Sequence, residues 1–183
     1  VSAIIPSQIF LTKGTGRHKE KLASFELALR EAGIAPFNLV KISSILPPKC
    51  MIISKEKGIK LLSPGQILFL VISENATNEA HRLISASIGV AIPDRSDQYG
   101  YLSEHHDFGR EEKEVGHYAE DLAAYMLATT LQKNFDLREI WEEEKSTYKI
   151  SKDITVKTKN ITKTASGKDG MWTTVISAAV CIT

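Results

Sequence analysis

The sequence predicts an α+β domain in which two helices cover strand-rich sheets. Three observations carry this prediction: apolar runs of strand length outnumber helical stretches, two long segments show helical spacing, and strands and helices do not alternate as a doubly wound α/β chain requires. The 183 residues are 43% hydrophobic and 25% charged, which suits one domain with a sizeable core rather than two domains.

Residues 7–13 (SQIFLTK), bounded by Pro6 and Gly14, read as a buried strand. Over residues 19–32 the apolar Leu22, Phe25, Ala28 and Leu29 recur at three- and four-residue spacing, and Gly33 supplies a left-handed stop, so a helix is expected. Residues 37–44 (FNLVKISS) are strand-like and end at Pro47-Pro48, which remove two amide donors. Residues 66–73 (QILFLVIS), introduced by Pro64-Gly65, are the most apolar run and are expected to form a central strand. In residues 81–92 (HRLISASIGVAI), Ile84, Ile88, Val90 and Ile92 share one parity with small residues between them, which favours a strand. Gly109 precedes the best-patterned helix, residues 110–132, with Val115, Tyr118, Ala119, Leu122, Tyr125, Met126 and Ala128 on its apolar side. Two further strands are expected at 153–164 and 172–183, joined by a turn containing Gly167 and Gly170.

Composition narrows function. A net charge of +1 leaves no basic field to track a phosphate backbone, so nucleic acid is not expected as a partner. No window holds the roughly 20 apolar residues of a bilayer span, and no signal peptide is apparent, so a cytoplasmic protein without membrane contact is expected. Cys50 and Cys181 match no metal or redox spacing and read as buried apolar thiols, while the sequons at Asn75 and Asn160 carry no meaning in that compartment.

Ser43-Ser44, in KISSILPP, admits two readings. One is a polar strand end before a turn. The other is self-cleavage, in which the Ser44 hydroxyl attacks the Ser43 carbonyl and the resulting ester undergoes β-elimination and hydrolysis, turning Ser44 into a pyruvoyl group. Such a ketone condenses with an amino-acid amine to a Schiff base and accepts the electrons of decarboxylation without a diffusible cofactor.

The junction FNLVKISSILPP, preceded by SFELALREAGI, closely resembles that of the pyruvoyl-dependent arginine decarboxylases of the archaeal type. GTG at 14–16, SASIGVAIP at 85–93 and YGYLSEHHDFG at 99–109 agree with it in order, over most of the chain. The resemblance implies a four-layer αββα sandwich and cleavage into a β chain of residues 1–43 and an α chain of residues 44–183. It further implies a covalent pyruvoyl cofactor derived from Ser44, conversion of arginine to agmatine and CO2, and a homotrimer or higher multiple with sites between subunits. Asn38 matches the family asparagine that assists processing and lines the site, and Glu104 the glutamate that donates a proton in turnover. For that role Glu104 needs an apolar, desolvated setting that keeps it protonated; its other reading is a surface loop acid. Asn38 and Ser44 are six residues apart, about 20 Å along a straight strand at roughly 3.3 Å per residue, so the chain must bend or Asn38 must serve a neighbouring subunit.

Glu26 stands where the family commonly carries an aspartate that holds the substrate guanidinium. A carboxylate suits that cation by bidentate pairing, and the extra methylene leaves a solvated helix-face acid as the other reading. His105, His106 and Asp107, with His117, do not read as a metal site, because adjacent residues of an extended segment point to opposite faces; they are expected at the mouth of the site. The GTG lacks the third glycine of a dinucleotide fingerprint and has no P-loop lysine, and the charge runs at 110–114 and 142–144 read as solvated faces. Rival readings are a decarboxylase for another amino acid, such as histidine or aspartate, and an uncut, non-catalytic partner subunit.

Overall fold

The computed structural model describes residues 3–130, 141–142, 147–151 and 154–183. In chain order the elements are β1 (Gln8–His18), α1 (Lys21–Ala32), β2 (Asn38–Lys41), β3 (Ile45–Leu46), β4 (Met51–Ile53), α2 (Lys55–Ile59), β5 (Ile67–Thr77), β6 (Leu83–Pro93), β7 (Gly100–Phe108), α3 (Glu112–Thr130), β8 (Trp141–Glu142), β9 (Thr147–Ser151), β10 (Ile154–Ser166) and β11 (Trp172–Ile182). They form a five-stranded sheet ordered β2-β5-β11-β1-β4 and a six-stranded sheet ordered β3-β7-β6-β10-β9-β8. The sheets face each other, α1 packs outside the first on β1 and β11, and α3 packs outside the second on β6, β7 and β10. This is the α+β sandwich, layered αββα.

Strand alternation builds the three interfaces. On β11, Ile176, Ala178 and Val180 face α1 and join Phe10, Ala28 and Leu29, while Ala179 and Cys181 turn inward to meet Ile9, Ile88 and Val90 between the sheets. On β6, Ile84, Ala86, Ile88 and Val90 face the other sheet, whereas Ala91 packs beneath Ala123, Ala124 and Leu127 of α3. Gly33 ends α1 at φ 79, with its N–H donating to the Arg30 carbonyl, as its position in the sequence suggested.

Small residues let both helices sit close. A Cβ on Gly14 would stand 2.1 Å from the Ala28 carbonyl oxygen, and one on Gly16 1.9 Å from that of Ser24. The GTG segment is therefore the seat of α1 rather than a phosphate cradle. Likewise a Cβ on Gly89 would stand 2.0 Å from the Ala119 carbonyl oxygen of α3. Gly89→Ala is expected to destabilise the protein by ~1–3 kcal/mol through overpacking, read as a lower urea midpoint; an unchanged midpoint would place α3 elsewhere.

Several expectations need correction. The central strand of the first sheet is β11, and β5 lies one place from the edge, because β2 pairs with it on its outer side. Leu22, counted into the apolar stripe of α1, is 79% exposed, since the stripe that meets the sheet is narrower and ends at Phe25, Ala28 and Leu29. Tyr118, Tyr125 and Met126 are likewise exposed on α3, whose buried face is built of Val115, Gly116, Ala119, Ala123, Ala124, Leu127 and Ala128. Cys181 is buried and Cys50 only half-buried; desolvation pushes both thiols up to about 11, so neither is a ready nucleophile. The end of the expected helix at 131–132 and most of the acidic run at 142–144 lie outside the described residues.

Candidate active site at the sheet crossover

The run 37–44 is not one strand. β2 pairs parallel with β5 from Asn38↔Ile67 to Lys41↔Leu70, and the Ile42 N–H still donates to the Leu70 carbonyl at 3.0 Å. Two residues later the Ser44 carbonyl accepts from Leu102 N–H at 2.7 Å, and Ile45 and Leu46 pair antiparallel with Tyr101 and Gly100. The chain therefore leaves the five-stranded sheet after Ile42 and joins the six-stranded one at Ser44, with the Ser43–Ser44 peptide spanning the gap. Ile42 and the buried Leu46 anchor the two sides in the same inter-sheet core. Ser43 is exposed and Ser44 half-buried.

Ser44 opens into a cleft of about 240 Å³ lined by Tyr101, Leu102, Ser103, Glu104, Leu122 and Met126. β7 thus brings Glu104 to the same cleft as Ser44, across about sixty positions of sequence. The Ser103 hydroxyl is committed elsewhere, donating to the Ala119 carbonyl at 2.5 Å. Glu104 departs from the apolar setting expected for it: its side chain is 29% exposed and its Oε2 lies 2.7 Å from Lys41 Nζ. The reason is that β2 ends with its lysine beside the edge of β7. Held this way, the carboxylate accepts from the ammonium in a charge-assisted pair.

A carbonyl group made from Ser44 fits this place. Among the described residues neither the Ser44 N–H nor its hydroxyl is hydrogen-bonded, so losing both breaks no contact, while its own carbonyl stays held by Leu102. Leu102, Leu122 and Met126 supply apolar walls.

The other expected residues lie apart. Asn38, at the far end of β2, donates from Nδ2 to the Gly65 carbonyl at 2.7 Å, and Glu26 accepts from Arg30 Nε at 3.1 Å on the surface of α1; neither lines the Ser44 cleft. The sharp bend between Asn38 and Ser44 exists but does not bring the asparagine side chain to this cleft. The histidines are not at its mouth either. His105 packs its ring 4.6 Å from Tyr118, with Nε2 3.4 Å from Asp107 Oδ2, and burial lowers its pKa despite that carboxylate. His106 lines a separate cleft of about 620 Å³ with Lys21, Leu22, Phe25, Glu74 and Phe108. His117 is exposed on α3, and no three His, Cys, Asp or Glu side chains converge among the described residues. Lys41, Tyr101, Leu122 and Met126 were not anticipated in the site. The four-residue spacing of Leu122 and Met126 was visible but read as core.

The chain is similar to known proteins over nearly its whole length. A family profile described as pyruvoyl-dependent arginine decarboxylase (PvlArgDC) matches residues 8–183. A probable pyruvoyl-dependent arginine decarboxylase of Chlorobium limicola is 59% identical over 180 residues, covering 98% of this chain and 99% of that protein. One of Chlorobaculum tepidum is 58% identical over 180 residues, with the same coverage of 98% and 99%. Pyruvoyl-dependent arginine decarboxylase 2 of Methanosarcina acetivorans is 54% identical over 181 residues, covering 98% of each. With the profile, the relatives and the serine at the crossover in agreement, the chain belongs to the pyruvoyl-dependent arginine decarboxylase family, carbon–carbon lyases whose cofactor is a covalently bound pyruvoyl group.

Proposed function

We propose that the chain cuts itself between Ser43 and Ser44, giving a β chain of residues 1–43 and an α chain of residues 44–183, and then decarboxylates arginine to agmatine and CO2. The observation that carries this reading is the single cleft shared by Ser44 and Glu104 beside a peptide held from both sheets. Ser44 Oγ attacks the Ser43 carbonyl carbon, and the C–N bond breaks as an ester forms and the nitrogen takes a proton. Loss of the Ser44 α-proton then breaks the Cβ–O bond, leaving a Ser43 carboxylate and a dehydroalanine, and water replaces the nitrogen as ammonia departs. The pyruvoyl group so formed supplies a ketone conjugated with an amide carbonyl, an electron sink for the loss of CO2. The chain's own residues do the rest. Leu102 and Leu122 give the cleft apolar walls, and Glu104, once parted from Lys41 and protonated from solvent, delivers that proton to the substrate α-carbon.

A homotrimer, or a higher multiple of it, is part of the proposal. Asn38 and Glu26 lie outside their own subunit's Ser44 cleft, which suits a site completed by a neighbour: Asn38 assisting processing, Glu26 pairing with the substrate guanidinium. Substrate contact would displace Arg30 from Glu26, a small cost for an exposed pair. No described helix is long and apolar enough to cross a membrane, and the substrate is a small metabolite, in keeping with a cytoplasmic enzyme that meets neither membrane nor nucleic acid.

Denaturing mass spectrometry of purified protein, paired with CO2 release from a panel of amino acids, tests the reading. Two chains, an α chain beginning with pyruvoyl and release from arginine are expected. Release from histidine or aspartate instead would reassign the substrate, and an intact chain would leave a non-catalytic subunit.

A further inference from the structure

We propose that Lys41 is a positioning residue for self-cleavage, an ionic clamp that holds the Ser43 side of the scissile peptide against the Ser44 side. The inference rests on the self-cutting reading. Lys41 is the last residue of β2, two positions before Ser43, and β2 belongs to the five-stranded sheet. Its ammonium reaches across to Glu104 of β7, in the six-stranded sheet, at 2.7 Å. The pair therefore joins the future β chain to the future α chain beside the bond that is cut.

The clamp acts on a segment otherwise held unevenly. Downstream, the Ser44 carbonyl and Ile45 are fixed to β7 by the ladder to Leu102 and Tyr101. Upstream, Ile42 is bonded to Leu70 of the other sheet, leaving Ser43 to bridge the gap exposed. Attack of Ser44 Oγ on the Ser43 carbonyl demands that the two residues hold a near-attack geometry, and any tie that narrows their relative motion raises the rate. Lys41–Glu104 is such a tie, placed next to the gap and spanning the two sheets. It is a half-exposed pair, with side chains 59% and 29% accessible, so its contribution is modest and sensitive to salt.

The test follows the conversion of freshly made chain to cut chain in wild type, Lys41→Met, Lys41→Arg, Glu104→Gln and the Lys41→Met/Glu104→Gln double variant, each at low and high salt. Lys41→Met is expected to lengthen the processing half-time roughly three- to fivefold, the size of effect a partly exposed ion pair gives. Lys41→Arg, which keeps the charge and the reach, should restore most of the rate. Added salt should slow the wild type and leave Lys41→Met unchanged, a readout that loss of packing alone would not move. The double variant should cut no slower than the slower single variant, because both remove one tie. Equal rates for wild type and Lys41→Met at both salt concentrations, or delays that simply add in the double variant, would overturn the role of Lys41. A wild-type chain that never cuts would instead remove the self-cutting reading itself.

Discussion

Ser44→Ala is expected to yield one uncut chain with no detectable decarboxylase activity. In the proposed cleavage the hydroxyl is the nucleophile and the Ser44 carbon skeleton becomes the electron sink, so one atom's removal would abolish both. Folding should survive. Among the described residues the Ser44 hydroxyl has no hydrogen-bond partner, whereas its carbonyl bond to Leu102 and the anchors Ile42 and Leu46 remain. Denaturing electrophoresis and a CO2 assay read the result together. A Ser44→Ala protein that is cut and active would end the proposed chemistry, and the intact variant also provides the uncut reference for the processing kinetics above.

Glu104→Gln is expected to cut, more slowly than wild type, and then to turn over arginine about 10²- to 10⁴-fold more slowly, the range associated with losing a positioned general acid. The amide keeps the shape of the carboxyl and can still face Lys41, so the cleft of Ser44, Leu122 and Met126 should keep its form. The loss should fall on kcat rather than on KM if the proton is delivered in the transition state alone. Steady-state kinetics on fully cut protein checks this. Wild-type turnover would strip Glu104 of the role, and leave the ion pair with Lys41 as its whole purpose.

Much of the scaffold was legible in the sequence because local patterns and final partners agreed. α1 with its Gly33 stop, β6 and α3 announce themselves by periodicity and β1 and β11 by apolar runs, although β1 continues past the Gly14 expected to bound it and pairs with β11 as far as His18. The crossover was not legible. FNLVKISS looks like a continuous strand, and the point at which a chain exchanges one sheet for another is set by distant partners, here Leu70 before the gap and Leu102 after it. β7 was also missed as a strand. Its sequence GYLSEHHDF carries little apolar content, and its ladder depends on β6 beside it, from Ile84↔Phe108 to Ala91↔Tyr101. At the site, Ser44 and Glu104 were reached through family resemblance, and the fold places them together. Lys41 escaped notice because a lysine near a strand end is unremarkable until the edge of another sheet brings a carboxylate to it.

The position of β1 bears on what the proposed cut would do to the molecule. β1 is bonded to β11 along its whole length, Gln8↔Ile182 to His18↔Trp172, and to β4 on its other side, and both neighbours lie downstream of Ser44. In a chain cut as proposed, β1 is an interior stave, one place from the edge of its sheet and gripped on both sides by another polypeptide, so losing the native state means parting two solutes rather than uncoiling one. Reassembly then becomes a second-order encounter whose odds fall with dilution, so a self-cutting enzyme of this build folds first and matures afterwards, with no easy way back.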